Sequence, residues 1–414
     1  MKILIACDSF KDALPAELVC TAIEKGLQKG IDSLKNSKNK IFEIHQFPLA
    51  DGGEGTFDIL KQHLNLKKIE ITVNNPLFRP QKAFYGMTQD PESPIAFIEM
   101  AQAAGLQLLT THERNPMKTT TFGVGEMILD AIQNGAKEIV LAIGGSATND
   151  AGMGMAAALG YQFLDENKEP VVPIGENLIK VHHIIPSPNS KNFPPTRVIC
   201  DVTNPLYGRN GASHIYARQK GATDSDIETL DNGLKHFSKI IEKMTPSVFD
   251  SKIQVDNHLI PMKSGAGAAG GLGFGAMVFL NAELQSGINV ILNLTHFDDL
   301  LTHHQFDWII TGEGKLDSQT AHGKVVHGVA RRAQQHNIRV IAFCGSLDMP
   351  ISNSTEESHY LLDDWGITAA FSINPQLVSL RDALAATSEN LQNMAFNVMR
   401  LLGGIANKSI KFPF

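Results

Sequence analysis

Six short apolar runs recur along the chain, and each stops at a glycine or an acid. They are KILIAC before Asp8, IHQFPLA before Asp51, IVLAI before Gly144, RVIC before Asp201, WIIT before Gly312 and RVIAFC before Gly345. A strand covered on both faces reads as a continuous apolar run, whereas a half-exposed one alternates. Helical patterns separate these runs over Ala16–Lys29, Val124–Asn134, Lys324–His336 and Leu377–Leu402. The alternation predicts an α/β fold whose mostly parallel, Rossmann/flavodoxin-like sheet is covered by helices. In the last helical stretch Leu377, Leu380, Leu384, Leu391 and Met394 lie near helical spacing, which predicts packing on the sheet.

The segment Ile69–Met100 follows a different rule. It alternates apolar and polar residues, with turn signals at Asn74-Asn75-Pro76 and between Pro91 and Pro94, and so predicts antiparallel strands. The chain has 414 residues, more than one core of roughly 150 residues accounts for. Two domains are therefore expected: a discontinuous one over 1–70 and 290–414, and an inserted α/β domain over 71–289 with antiparallel β character.

The bulk chemistry narrows the partners. A net charge of -7 provides no basic surface, so nucleic acid is not expected. No apolar run approaches the ~20 residues of a membrane span. MKILIACDSF lacks the long apolar core of a signal peptide and reads as a first strand. Cys7, Cys20, Cys200 and Cys344 are scattered without a CxxC pair, which argues against zinc and a disulfide framework and for a cytoplasmic protein.

In open α/β sheets ligands bind beyond the carboxyl ends of the strands. There this sequence places Asp8, Asp51 and Asp201. A lone acid at such a position commonly caps a helix, but three together suit a divalent cation, a general base, or both. Three glycine-bearing segments accompany them. GGSATNDAG (144–152) offers Gly144 and Gly145 for phosphate, the Ser146 and Thr148 hydroxyls, and Asp150 as an N-cap or a catalytic carboxylate. SGAGAAGGLGFGA (264–276) contains a GxGxxG match, but no good strand precedes it, so it does not read as a dinucleotide fingerprint. Gly265, Gly267, Gly270 and Gly271 remain expected either to cradle phosphate or to pack helices closely. TGEGKLDSQTAHGK (311–324) is not a Walker A loop. Even so, Glu313 and Asp317 suit magnesium, and Lys315 or Lys324 suits phosphate oxygens. Lys11, just past the first strand, and Arg114, beside a run of threonines, suit an acidic substrate. Glycines for phosphates, acids for a metal and a base, and cations for charge together point to phosphoryl transfer.

The motifs DSFK (8–11), ADGGEGT (50–56), RNP (114–116), GVGE (123–126), IGGSATND (143–150), CDVTNPLYG (200–208), QKGA (219–222), GAGAAGGLG (265–273) and TGEGKLDSQT (311–320) resemble, in order, those of the bacterial glycerate kinases. The resemblance covers about Met1 to Gly345. It implies two α/β domains, one inserted in the other, and phosphorylation of D-glycerate by ATP with Mg2+ at an interdomain cleft, 2-phosphoglycerate being the favoured product. The resemblance does not assign individual roles; from their chemistry, Asp201 or Asp51 is expected as the base, with Asp150 and Lys11 also in the catalytic set. On the same grounds Asp8, Ser9, Lys11 and Arg114 are expected to bind glycerate. Gly144, Gly145, Ser146, the 265–271 glycines and Lys324 are expected to hold ATP phosphates, and Glu313 and Asp317 the metal. A homo-oligomer is compatible with this reading. The sequence departs from the family's usual residues at Ala13, Pro15, Ala151 and Val326, Ala151 replacing a common glycine. The alternatives are a kinase for another small hydroxy or sugar acid, and a non-catalytic anion-binding protein.

Overall fold

The computed structural model describes residues 1–34, 41–53, 55–243, 257–316, 324–348 and 361–405. In chain order its strands are β1 (Lys2–Ile5), β2 (Glu43–Gln46), β3 (Lys67–Asn74), β4 (Pro80–Met87), β5 (Ile95–Glu99), β6 (Glu138–Ala142), β7 (Gln162–Leu164), β8 (His183–Ile185), β9 (Thr196–Ile199), β10 (Glu283–Gln285), β11 (Trp308–Leu316), β12 (Arg339–Leu347) and β13 (Ala369–Ser372). The chain forms two compact units, Met1–Ile59 with Gly287–Phe414, and Leu60–Ser286.

The discontinuous unit holds a five-stranded sheet in the order β13-β12-β11-β1-β2. All of its pairings are parallel. Counting only this unit's strands, the order from the other edge is 2-1-3-4-5, the flavodoxin-like arrangement. Its switch point lies between β1 and β11, where Asp8 stands just past the end of β1 and Glu313 in the carboxyl half of β11. The ladder between β1 and β2 continues past both, through Phe47 N–H to Ile5 O at 2.8 Å and Leu49 N–H to Cys7 O at 2.9 Å. That continuation carries Asp51 along the same edge.

One face of this sheet is covered by the helices Ala16–Ser33 and Thr387–Ile405. Val19, Ile23, Leu27, Leu391, Val398 and Met399 share one core cluster with Ile3, Ile5 and Phe343. The two helices approach closely: a Cβ on Gly26 would lie 2.2 Å from the Gln392 carbonyl oxygen. The last helical stretch differs from expectation at its start. Helix Leu380–Ala385, capped by Ser379, ends at Ala386 before Thr387–Ile405 begins. Leu377 and Leu380 stand in solvent, and core packing starts at Leu391.

The second unit holds a six-stranded mixed sheet in the order β10-β9-β6-β5-β4-β3. The alternating segment forms its antiparallel edge, β3 on β4 and β4 on β5. The Asn75 side chain builds the first turn by accepting from Leu77 N–H at 2.8 Å and Arg79 N–H at 3.0 Å. From β5 onward the continuous apolar strands pair in parallel. β6 sits inside this parallel part, so the turn after it leaves from the middle of the sheet. β7 and β8 pair separately. Among the described residues no helix is long and apolar enough to cross a membrane.

Candidate active site

In the discontinuous unit the carboxyl edge of the sheet gathers acids. Asp8 N–H donates to Gly312 O at 3.0 Å, which ties the end of β1 to β11. The Asp8 carboxyl accepts from Ser9 N–H at 2.6 Å. Burial first, then the neighbouring charges of Asp51 and Glu313, push Asp8 up to about 8 against the bonds from Ser9. Asp51 accepts from Gly53 N–H at 3.0 Å and stays half-exposed just before helix Thr56–Leu64. Glu313 is buried, with Lys324 Nζ 3.3 Å from its carboxylate. Lys324, expected at phosphate, therefore faces an acid. Lys11 is exposed on the turn that Phe10 and Leu14 close with two backbone bonds. Asp317 lies outside the described residues.

These acids suit magnesium in kind. Among the described residues no three His, Cys, Asp or Glu groups are placed to share one ion. Magnesium commonly takes only one or two carboxylates and fills its octahedron with waters and substrate phosphates. Asp8, Asp51 and Glu313 are hard oxygen donors that repel one another, and a cation would relieve that repulsion. The residues fit the ion.

In the second unit the turn after β6 has a different character. Gly144 and Gly145 are exposed, and a Cβ on Gly144 would meet nothing within 4 Å. Gly145 adopts φ 73°, in the left-handed region. Its carbonyl receives Leu106 N–H at 2.9 Å, and Ala147 N–H reaches Ala104 O at 2.9 Å, which pins the far side of the turn. The N–H groups of Gly144, Gly145 and Ser146 donate to no acceptor among the described residues. Successive free N–H groups around a left-handed residue form an anion-binding concavity.

Beneath this turn lie two buried ionisable groups. Lys220 is 3% exposed, and its ammonium donates to Ser146 Oγ at 2.6 Å and Thr148 O at 2.7 Å. Burial pulls it down to about 7, although the Asp150 charge acts in the opposite direction. Asp150 accepts from Thr121 N–H at 2.7 Å, Thr121 Oγ1–H at 2.8 Å, and the N–H groups of Gly152 and Gly154 at 3.1 Å each. Burial raises its pKa against these four donors. Its carboxylate ties the start of helix Met153–Ala158 to the threonine segment. Around the pair, Thr148 Oγ1, Asn149 Oδ1 and the Arg114 Nε are buried without a partner. Asn149 Nδ2 donates to Ser213 Oγ at 2.8 Å. Asp201 is exposed just past β9.

The glycines of 265–271 are enclosed. A Cβ on Gly267 would lie 2.2 Å from Pro205 O, one on Gly270 2.0 Å from Thr148 O, and one on Gly271 2.9 Å from the Ala151 Cα. Gly265 faces Leu284 and Cys200. In this structure these glycines let one backbone lie directly on another, and the open glycines are Gly144 and Gly145.

Comparison with known proteins identifies the family. The model of the glycerate kinase family matches residues 3–403. The chain belongs to that family. It is 40% identical over 398 residues to the glycerate kinase of Halalkalibacterium halodurans, covering 96% of this chain and 97% of that one. It is 38% identical over 408 residues to the glycerate 2-kinase of Escherichia coli, covering 97% and 98% of the two chains. A crystal structure from Salmonella typhimurium LT2, described as a candidate glycerate kinase 2, aligns with a TM-score of 0.79 at 36% identity over 99% of this chain and all of that one.

In this family member, reasoning from local sequence passes over Lys220, Asn149 and Ser213. Lys220 lies within the QKGA motif, from which no role for it follows, and the fold shows it enclosed. Two outcomes follow. Gly270→Ala, forced against a carbonyl at positive φ, should cost more than about 2 kcal/mol in urea unfolding, whereas Gly144→Ala should stay within about 0.5 kcal/mol of wild type. Equal costs would contradict the division into packing and open glycines. For Asp8, the unfolded chain ionises near pH 4 and the folded carboxyl only near 8. Its contribution therefore turns unfavourable as pH rises across that window. In chelator, Asp8→Asn should raise the Tm at about pH 8 and leave it nearly unchanged at about pH 4. A gain independent of pH would contradict the assignment.

Proposed function

We propose that this protein transfers the γ-phosphoryl group of ATP to the 2-hydroxyl of D-glycerate, giving 2-phosphoglycerate and ADP. The observation that carries this reading is membership of the glycerate kinase family over residues 3–403. The strand ends of the two units support it with complementary chemistry. Phosphoryl transfer depends chiefly on positioning and on stabilising charge. The free N–H groups of Gly144, Gly145 and Ser146 are suited to phosphate oxygens. Lys11 and Arg114 are suited to the glycerate carboxylate, and Ser9 to a hydroxyl. Asp51 or Asp201, both reachable from solvent, accepts the hydroxyl proton. Glu313, with Asp8 and Asp51, would hold magnesium, which supplies charge neutralisation at the phosphate oxygens. Four free cysteines, three of them buried, suit a reducing cytoplasm.

Phosphorus NMR of protein, ATP, magnesium and D-glycerate tests the reading. A 2-phosphoglycerate signal is expected, and replacing the base, through Asp51→Asn or Asp201→Asn, should lower kcat at least about 100-fold. ATP left intact would overturn the reading, and 3-phosphoglycerate would overturn the choice of hydroxyl.

A further inference from the structure

The Lys220 ammonium meets two neutral oxygens, Ser146 Oγ and the Thr148 carbonyl. Among the described residues no carboxylate lies within ion-pairing distance of it, and no acceptor meets its third N–H. A buried charge held only by neutral oxygens is costly unless an opposite charge joins it. Asp150 acts on it through space, but its oxygens are engaged by Thr121, Gly152 and Gly154. The next residue, Gly221, packs against the Arg114 carbonyl, where a Cβ would approach to 2.1 Å.

The hydroxyl above the ammonium is constrained by it. Ser146 Oγ accepts from Lys220, so its own hydrogen must point elsewhere, and no acceptor for it stands among the described residues. The side of the turn with the free N–H groups of Gly144, Gly145 and Ser146 is exposed at both glycines. Thr148 Oγ1, two residues past the turn, is also buried without a partner.

We propose that Lys220 is the positioning residue of an anion seat on the Gly144–Ser146 turn, orienting the Ser146 hydroxyl toward the anion and supplying its counter-charge from below. The ligand class is a small oxyanion. The kinase reading offers two sources, a nucleotide phosphate and the glycerate carboxylate, and only their identity rests on that reading. Because the free protein holds Lys220 near its titration point, the arriving anion draws a proton onto the amine. Affinity for the seated anion therefore falls by up to about tenfold per pH unit above about 7.

Isothermal titration calorimetry with ADP, D-glycerate and sulfate as separate probes, at about pH 8 and in buffers of different ionisation enthalpy, tests this. Wild-type protein should bind sulfate and one of the two organic ligands with net proton uptake, and that ligand identifies the source. Lys220→Met should weaken the same probes at least about tenfold, abolish the uptake and flatten the pH dependence. Unchanged binding of the other organic ligand shows that the variant is folded. Ser146→Ala should shift the same probes in the same direction. If Lys220→Met binds all three probes as wild type does, the proposal is wrong. Lys220-dependent sulfate binding in a protein that makes no phosphoglycerate would leave the seat standing and overturn the kinase reading.

Discussion

The carbonyl of Thr148 is where the second unit's candidate site is fixed. From one side it receives the Lys220 ammonium at 2.7 Å. On another side Gly270 lies so close that a Cβ would reach it at 2.0 Å. The neighbouring bond from Ala151 N–H to Gly270 O, at 3.1 Å, locks the two loops together. Backbone lying on backbone leaves no room for a side chain, which explains the density of glycine between 265 and 275. That contact holds the turn at 144–146 in a shape whose N–H groups stay free. The glycine-rich loop thus packs directly against the segment that follows the Gly144–Ser146 turn.

The discontinuous unit solves a different problem with the same edge of a sheet. Parallel pairing brings the carboxyl ends of β1 and β11 side by side, and the flavodoxin-like order makes that place the switch point. Asp8, Asp51 and Glu313 accumulate there at a cost in mutual repulsion. One unit presents excess negative charge suited to a metal, and the other a buried cation under free N–H groups. Burial of charge without full compensation is costly to the fold and is the kind of perturbation that clusters at functional sites.

Much of the fold was legible because the two patterns of hydrophobicity differ. Continuous runs marked the buried parallel strands, and the alternating stretch Ile69–Met100 marked the antiparallel edge. The terminal helix was misread at its start because Leu377 and Leu380 keep helical spacing while lying in solvent, and spacing alone does not say where a helix is capped. The strand-end acids and the Gly144 turn were also visible. Lys220 was not, since burial of a lysine depends on contacts 72 and 74 residues away in the chain. Nor could the sequence separate packing glycines from open ones. Ala151 illustrates the point: it adopts φ 54°, in the left-handed region that favours glycine.

The strand-end acids and the Gly144–Ser146 turn are proposed here as substrate-binding groups. Hydrogen–deuterium exchange with and without ATP, magnesium and D-glycerate tests this most directly, because the amides of Gly144, Gly145 and Ser146 have no acceptor among the described residues and are expected to exchange readily until a ligand covers them. The account expects ligand-dependent protection over 144–148 and over the strand-end segments 8–11 and 51–53. Protection confined to other surfaces, with these segments exchanging as in the free protein, would contradict it.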